Sequence, residues 1–185
     1  MHSIMKNVGK HVAALILFLG LVMAYFSPAV FDGKVIRQGD NVKAAGMGGS
    51  QVDKYAKTAE PGEFSVWSDA MFSGMPYGPG YGNPAPELPS YSIVDNWLKQ
   101  PGYTHAAMVF TGLVCFYLLM CIMGVNWWLA IAGAIAFAFA SYNIIIIEAG
   151  HIVKAYVIGY MPITLAGMFL LFKRKWLWGA VLFLL

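Results

Sequence analysis

The chain has 185 residues, 59% of them hydrophobic and only 11% charged, with a formal net charge of +3. Soluble domains carry about 25% charged residues, so this composition excludes an ordinary soluble globule and points to an integral membrane protein. The small net charge lacks the concentrated basic surface that a nucleic-acid partner requires.

The first apolar run, about His11 to Phe31, is long enough to cross a bilayer core and follows Lys6 and Lys10. A cleaved signal peptide is the competing reading, with Ser27 and Ala29 as small residues near a cleavage point. The length of the run favours a retained helix, so residues 1–31 are read as a first transmembrane helix with a cytoplasmic N-terminus.

Residues 32–102 differ in kind. They hold eight of the nine acidic and six of the twelve basic residues, and they are rich in Gly, Pro, Tyr and Trp. They are read as one large outer, periplasmic loop with short helices. Asp40–Glu60 has helical character interrupted by glycines at 46, 48 and 49, and Asp40 reads as the cap of that helix. Gly74–Pro89 is too rich in proline and glycine for regular helix or a central strand. Ser90–Gln100 places Ile93, Val94, Trp97 and Leu98 on one side, as in a short helix lying on a membrane surface.

Residues 103–147 form a transmembrane hairpin: a second span at about Tyr103–Val125, a tight Gly-Val-Asn turn, and a third span at about Trp127–Ile147. In the third span Ala130, Ala134 and Ala138 recur every four residues, as do Ala132, Ala136 and Ala140. Either stripe allows close helix approach in lipid. Cys115 and Cys121 are six residues apart, about 9 Å along a helix axis, too far to pair. Residues 148–154 are an outer turn with an ionisable cluster, and residues 155–172 are a fourth span. Residues 173–185 hold a cytoplasmic basic turn, Lys173–Arg174–Lys175, and the start of a fifth helix. Its ten apolar residues reach about 15 Å, half of a bilayer core of about 30 Å. The fold class expected is an all-α, multi-spanning bundle with four complete transmembrane helices, and the chain reads as the N-terminal piece of a longer protein.

Short basic flanks vote for orientation. Lys6, Lys10 and Lys173–Lys175 fall on one side, which is read as cytoplasmic. The large loop and the ionisable cluster then share the other side.

Glu148, His151 and Lys154 are spaced by three, which on one helix gives a stripe about 120° wide. They read either as an ordinary polar turn or as a cluster facing a cavity. In the second case His151 and Lys154 bind an anionic head group and Glu148 serves as acid, base or metal ligand. Asp40 is a second candidate, with Arg37 near enough to meet a phosphate. A third is the aromatic, turn-rich patch VWSDAMFSGMPYG, with Trp67, Phe72, Met75, Pro76 and Tyr77, which reads either as packing the loop onto the membrane or as stacking on a sugar ring, with Asp69 suited to hydroxyls or to an ordinary turn. The chain has no GxSxG, HExxH, Walker or CxxC motif, so serine hydrolase, zincin and P-loop chemistries have no support.

The stretches SPAVFDGKVIRQGD, WSDAMFSGMPYG and SYNIIIIEAGHIVKAYVIGYMPITLAGMFLLF, in this order, resemble the N-terminal region of the YfhO family of bacterial membrane proteins. The likeness is to the versions in Bacteroidetes-type bacteria, and EAGHIVKAYVIGYMP is its most specific part. The resemblance implies a GT-C type glycosyltransferase fold in the bacterial inner membrane. It implies a sugar donor carried on polyprenyl phosphate and an envelope glycan, lipid or protein as acceptor at the outer face. It makes Asp40 and Glu148 the catalytic carboxylates. Arg37, Trp67, Asp69, Met75, His151 and Lys154 become substrate-binding residues. A divalent metal, Mg or Mn, is the cofactor the class admits, but the paired DD or DE of some relatives is absent beside Asp40. A transporter, a lipid flippase and an envelope scaffold are the rival readings.

Overall fold

The computed structural model describes residues 2–40, 42, 67–68, 73–76 and 104–184. Asp69, the segment 90–100 and most of the segment 41–103 lie outside the described residues.

The architecture is helical. Four of its helical stretches are long and apolar enough to cross a membrane: Val8–Tyr25, His105–Met123, Trp127–Ala149 and Ile152–Phe172. The helices are α1 (His2–Tyr25), α2 (Ser27–Val30), α3 (Thr104–Met123), α4 (Trp127–Ala138), α5 (Ser141–Ala149), α6 (Ile152–Phe172) and α7 (Trp176–Leu184). Two two-residue strands, β1 (Trp67–Ser68) and β2 (Met75–Pro76), pair antiparallel.

Helix α1 and the residue that follows it bury one narrow ridge, Ala14, Phe18, Val22 and Phe26, each four residues from the last. Val8, Val12, Leu15, Ile16, Leu17 and Leu19 are exposed, as lipid permits. The ridge meets α3, where Phe18 stands edge-on to the buried ring of Tyr117. His11 Nδ1 lies 2.8 Å from the Tyr117 hydroxyl, which closes the same contact with a hydrogen bond. At this end of the bundle Lys10 Nζ also stands 6.0 Å from the Trp127 ring.

Helix α3 is the hub, packing on α1, α4 and α6. Gly124, at a φ of +88°, and Asn126 make the turn into α4, and the Asn126 Oδ1 accepts from the Trp128 amide. Ala130, Ala134 and Ala138 are buried, whereas Ala132, Ala136 and Ala140 lie outside the core. Of the two alanine stripes legible in the sequence, packing selects the first. On α3 and α6 the backbones meet at Gly112 and Gly159; a methyl group on Gly159 would lie 3.6 Å from the Met108 oxygen. Helix α7 folds back on α6 after the 173–175 turn, at a closer crossing through Gly167 and Gly179. A methyl group on Gly167 would stand 2.5 Å from the Phe183 nitrogen.

Three sequence expectations change. The third span is not one helix: α4 ends at Ala138 and α5 starts at Ser141, with Ala140 extended at φ −56° and ψ 138°. Asn143 explains part of the break, since its Nδ2 donates to the Phe137 carbonyl at 2.7 Å and takes up an acceptor freed at the α4 terminus. Glu148, His151 and Lys154 do not share a helical stripe. Gly150, at φ +103°, ends α5, with the His151 amide on the Ile146 oxygen at 2.9 Å. This is a Schellman termination, and glycine suits its left-handed residue because it has no Cβ. Finally, Asp40 is not the cap. Gly39, Asp40 and Val42 are helical, and the Gln38 carbonyl accepts from the Val42 amide, so Asp40 sits within the first turn.

Candidate functional site

One end of the bundle gathers the chemistry. There α1 ends and α2 begins with Pro28 in its first turn, a position where the missing amide proton costs nothing. Gly33, at φ +64°, turns the chain, and residues 33–38 run without regular structure. Gln38 holds this segment to the bundle. Its Nε2 donates to the Ile147 carbonyl at 2.8 Å and lies 3.0 Å from His105 Nε2. A carbonyl only accepts and an amide nitrogen only donates, so His105 Nε2 must be the acceptor and its proton sits on Nδ1. One side chain thus ties the post-α1 segment to the end of α5 and the start of α3.

Two residues on, Asp40 Oδ2 lies 3.5 Å from His151 Nε2. The two side chains remain 59% and 50% exposed, so the pair stays open to a substrate. It is an ion pair when the imidazole is protonated. His151 also caps α6, so the carboxylate stands near the positive end of that helix dipole. Two candidates separated by more than a hundred positions in the sequence are therefore in contact.

Glu148 occupies the last turn of α5 and is exposed. It lines a cavity of about 330 Å³ between the end of α1, residues 34–36 and α5. Lys34 lines the same cavity, and its Nζ makes an ion pair with Asp32 at 3.4 Å. The remaining wall is apolar, including Phe26, Ile36, Ile144 and Ile147.

Lys154 lies in the first turn of α6 and Arg37 on the 33–38 segment, both exposed; among the described residues neither makes an ion pair. Trp67 and Met75 are diagonal neighbours across the small ladder, where Trp67 faces Pro76 and Ser68 faces Met75. Ser73 and Gly74, both at positive φ, lead into β2. Asp69 lies outside the described residues.

Among the described residues no three His, Cys, Asp or Glu side chains converge as a metal site. Asp40, with His151 beside it, is the carboxylate through which Mg or Mn would be held, in company with water and substrate phosphate.

Sequence reasoning missed Gln38, His105 and Lys34. Gln38 and Lys34 flank Arg37 in KVIRQGD, and His105 is a lone polar residue at the head of an apolar span. Each reads as an ordinary interfacial residue until the fold joins them. The chain matches no family model, no curated protein and no solved structure.

Proposed function

We propose that this protein is a membrane glycosyltransferase of GT-C type. It transfers a sugar from a polyprenyl-phosphate donor to an envelope glycan, lipid or protein acceptor at the outer face of the bacterial inner membrane. The observation that supports this reading best is the juxtaposition at one end of the bundle. Asp40 meets His151, and Glu148 opens on an apolar cavity that also carries a lysine.

The chemistry follows from the charges. The acceptor hydroxyl attacks the sugar's anomeric carbon and gives its proton to a carboxylate, the role of Asp40. The bond from the anomeric carbon to phosphate breaks, and its electron pair leaves on the phosphate. Lys154, His151 and Arg37 supply positive charge for that leaving group. Glu148 orients the sugar through its hydroxyls, or takes the proton in place of Asp40. Trp67 and Met75 stack on a sugar ring, and Asp69 contacts its hydroxyls. Lys10 and Lys173–Lys175 lie at the opposite end, which makes that end cytoplasmic. On that reading the segment after α1 lies on the outer side.

The test is sugar transfer in proteoliposomes from radiolabelled polyprenyl-phosphate sugars to envelope extract. Asp40→Asn and Glu148→Gln should insert like the parent and lose about 10²–10⁴-fold in rate, the usual worth of a general acid or base. Transfer surviving both changes would remove these residues from the site.

One observation favours a second reading. The break between α4 and α5 resembles the discontinuous helices that line substrate paths in transporters. A flippase for the same lipid would move labelled donor across the bilayer without transferring its sugar.

A further inference from the structure

All nine acidic residues lie between positions 32 and 102 or at 148. The turn between α6 and α7, Lys173–Arg174–Lys175, therefore has no carboxylate on either of its helices. Its three cations are exposed, and among the described residues none makes an ion pair. Lys173 Nζ stands 4.3 Å from the centre of the Phe169 ring. The turn lies roughly 30 Å along α6 from His151, at the other end of the bundle from Asp40.

Arg174 makes this turn in a strained conformation. Its φ is +59°, its amide donates to the Leu171 carbonyl at 2.9 Å, and the Lys175 amide donates to the Leu170 carbonyl at 3.0 Å. Gly150 terminates α5 in the same left-handed way. Glycine takes that conformation freely, whereas a side chain with a Cβ is strained there. Strain of this kind gathers where a residue is used for something besides the fold. The arginine head group offers its donors in a planar fork that matches two oxygens of one phosphate.

We infer that this turn is a binding surface for the head group of an anionic phospholipid, with Arg174 taking two phosphate oxygens and Lys173 and Lys175 completing the positive field. The choice of a lipid rests on what flanks the turn. The apolar stretch of α6 ends at Phe172, at the level of a membrane boundary. Phe172, Trp176, Leu177 and Trp178 are all exposed there. Tryptophan suits the membrane–water interface, and the apolar neighbours cover an acyl chain. A soluble phosphate gains nothing from them. A zwitterionic phospholipid brings an ammonium group to three cations with no carboxylate to receive it. An anionic phospholipid satisfies both the charges and the apolar flank. The inference goes beyond the transferase reading and does not depend on it.

The experiment measures binding of radiolabelled phosphatidylglycerol to the protein in a zwitterionic detergent. Competitors are phosphatidylcholine, phosphatidylethanolamine and inorganic phosphate. Each cation near a membrane surface is worth about fivefold in affinity for anionic lipid. Arg174→Gln and Lys175→Gln should each weaken binding by about that factor, and the triple change of residues 173–175 to Gln by about a hundredfold. Arg174→Gly separates lipid recognition from folding. It should raise the melting temperature in detergent, because the strain is relieved, and still bind phosphatidylglycerol about fivefold more weakly. Lys34→Gln, at the other end of the bundle, should bind like the parent. Parent-like binding by the triple variant would overturn the assignment. So would equal weakening by Lys34→Gln, equal competition by phosphatidylcholine, or displacement by inorganic phosphate at equal concentration. A higher melting temperature in Arg174→Gly with unchanged lipid binding would make the arginine a purely structural residue and overturn its role.

Discussion

At the scale of single residues, Gln38 decides more than the charged groups around it. The Asp40–His151 contact is 3.5 Å long and half exposed, and exposed ion pairs contribute about 0–1 kcal/mol. Such a pair cannot hold a segment in place by itself. The Gln38 amide reaches two other elements at 2.8 and 3.0 Å, and each such hydrogen bond contributes roughly 0.5–1.5 kcal/mol net. Gln38→Leu keeps most of the volume and removes both donors. It should lower stability in detergent by about 1–2 kcal/mol. Sugar transfer should fall with it, because Asp40 loses its registration on His151. An unchanged melting temperature together with unchanged transfer would show that this amide does not position the site. The pair Asp40 and His151 was legible as two separate candidates. Their contact was not, because it depends on how the segment after α1 crosses the bundle end.

At the scale of elements, the glycines set how closely helices approach. The Gly112–Gly159 crossing leaves a methyl group at ordinary contact distance, 3.6 Å from its nearest neighbour. The Gly167–Gly179 crossing does not, since the same group would be 2.5 Å from a backbone nitrogen of α7. Alanine also has a better helix propensity than glycine by about 1 kcal/mol. Gly159→Ala should therefore be neutral or stabilising. Gly167→Ala should destabilise by about 1–3 kcal/mol, as overpacking does, and loosen α7 from α6. Thermal unfolding of the two variants in one detergent checks the contrast, and equal melting temperatures would refute it. The sequence displays both glycines inside apolar runs, but their different tightness depends on the helix each one faces. The break in the third span was partly written in Ser141 and Asn143, which interrupt an otherwise apolar run. Hydropathy averages over them, so the run reads as continuous.

At the scale of the molecule, the two ends are chemically distinct. Lys10, Trp127 and Lys173–Lys175 lie at one end, and Lys34, Gln38, Asp40, Glu148 and His151 at the other. If the bundle spans the bilayer as proposed, membrane-impermeant maleimide should label Lys34→Cys and Lys154→Cys from the same face. Arg174→Cys should be labelled only from the opposite face. Cys115 and Cys121 lie within α3 and would first be replaced by alanine. Labelling of residues 34 and 174 from one face would refute this topology.

The amino-acid sequence by itself determined the membrane class and the four apolar stretches. These properties are sums over neighbouring residues, and lipid allows few alternatives to a helix for such stretches. Only the tertiary structure decided which alanine stripe is buried, that Gly150 separates Glu148 from Lys154, and that Gln38, Asp40 and Lys34 return to the α5–α6 junction. Those outcomes rest on contacts between residues far apart in the chain, where packing and hydrogen-bond geometry override any local pattern.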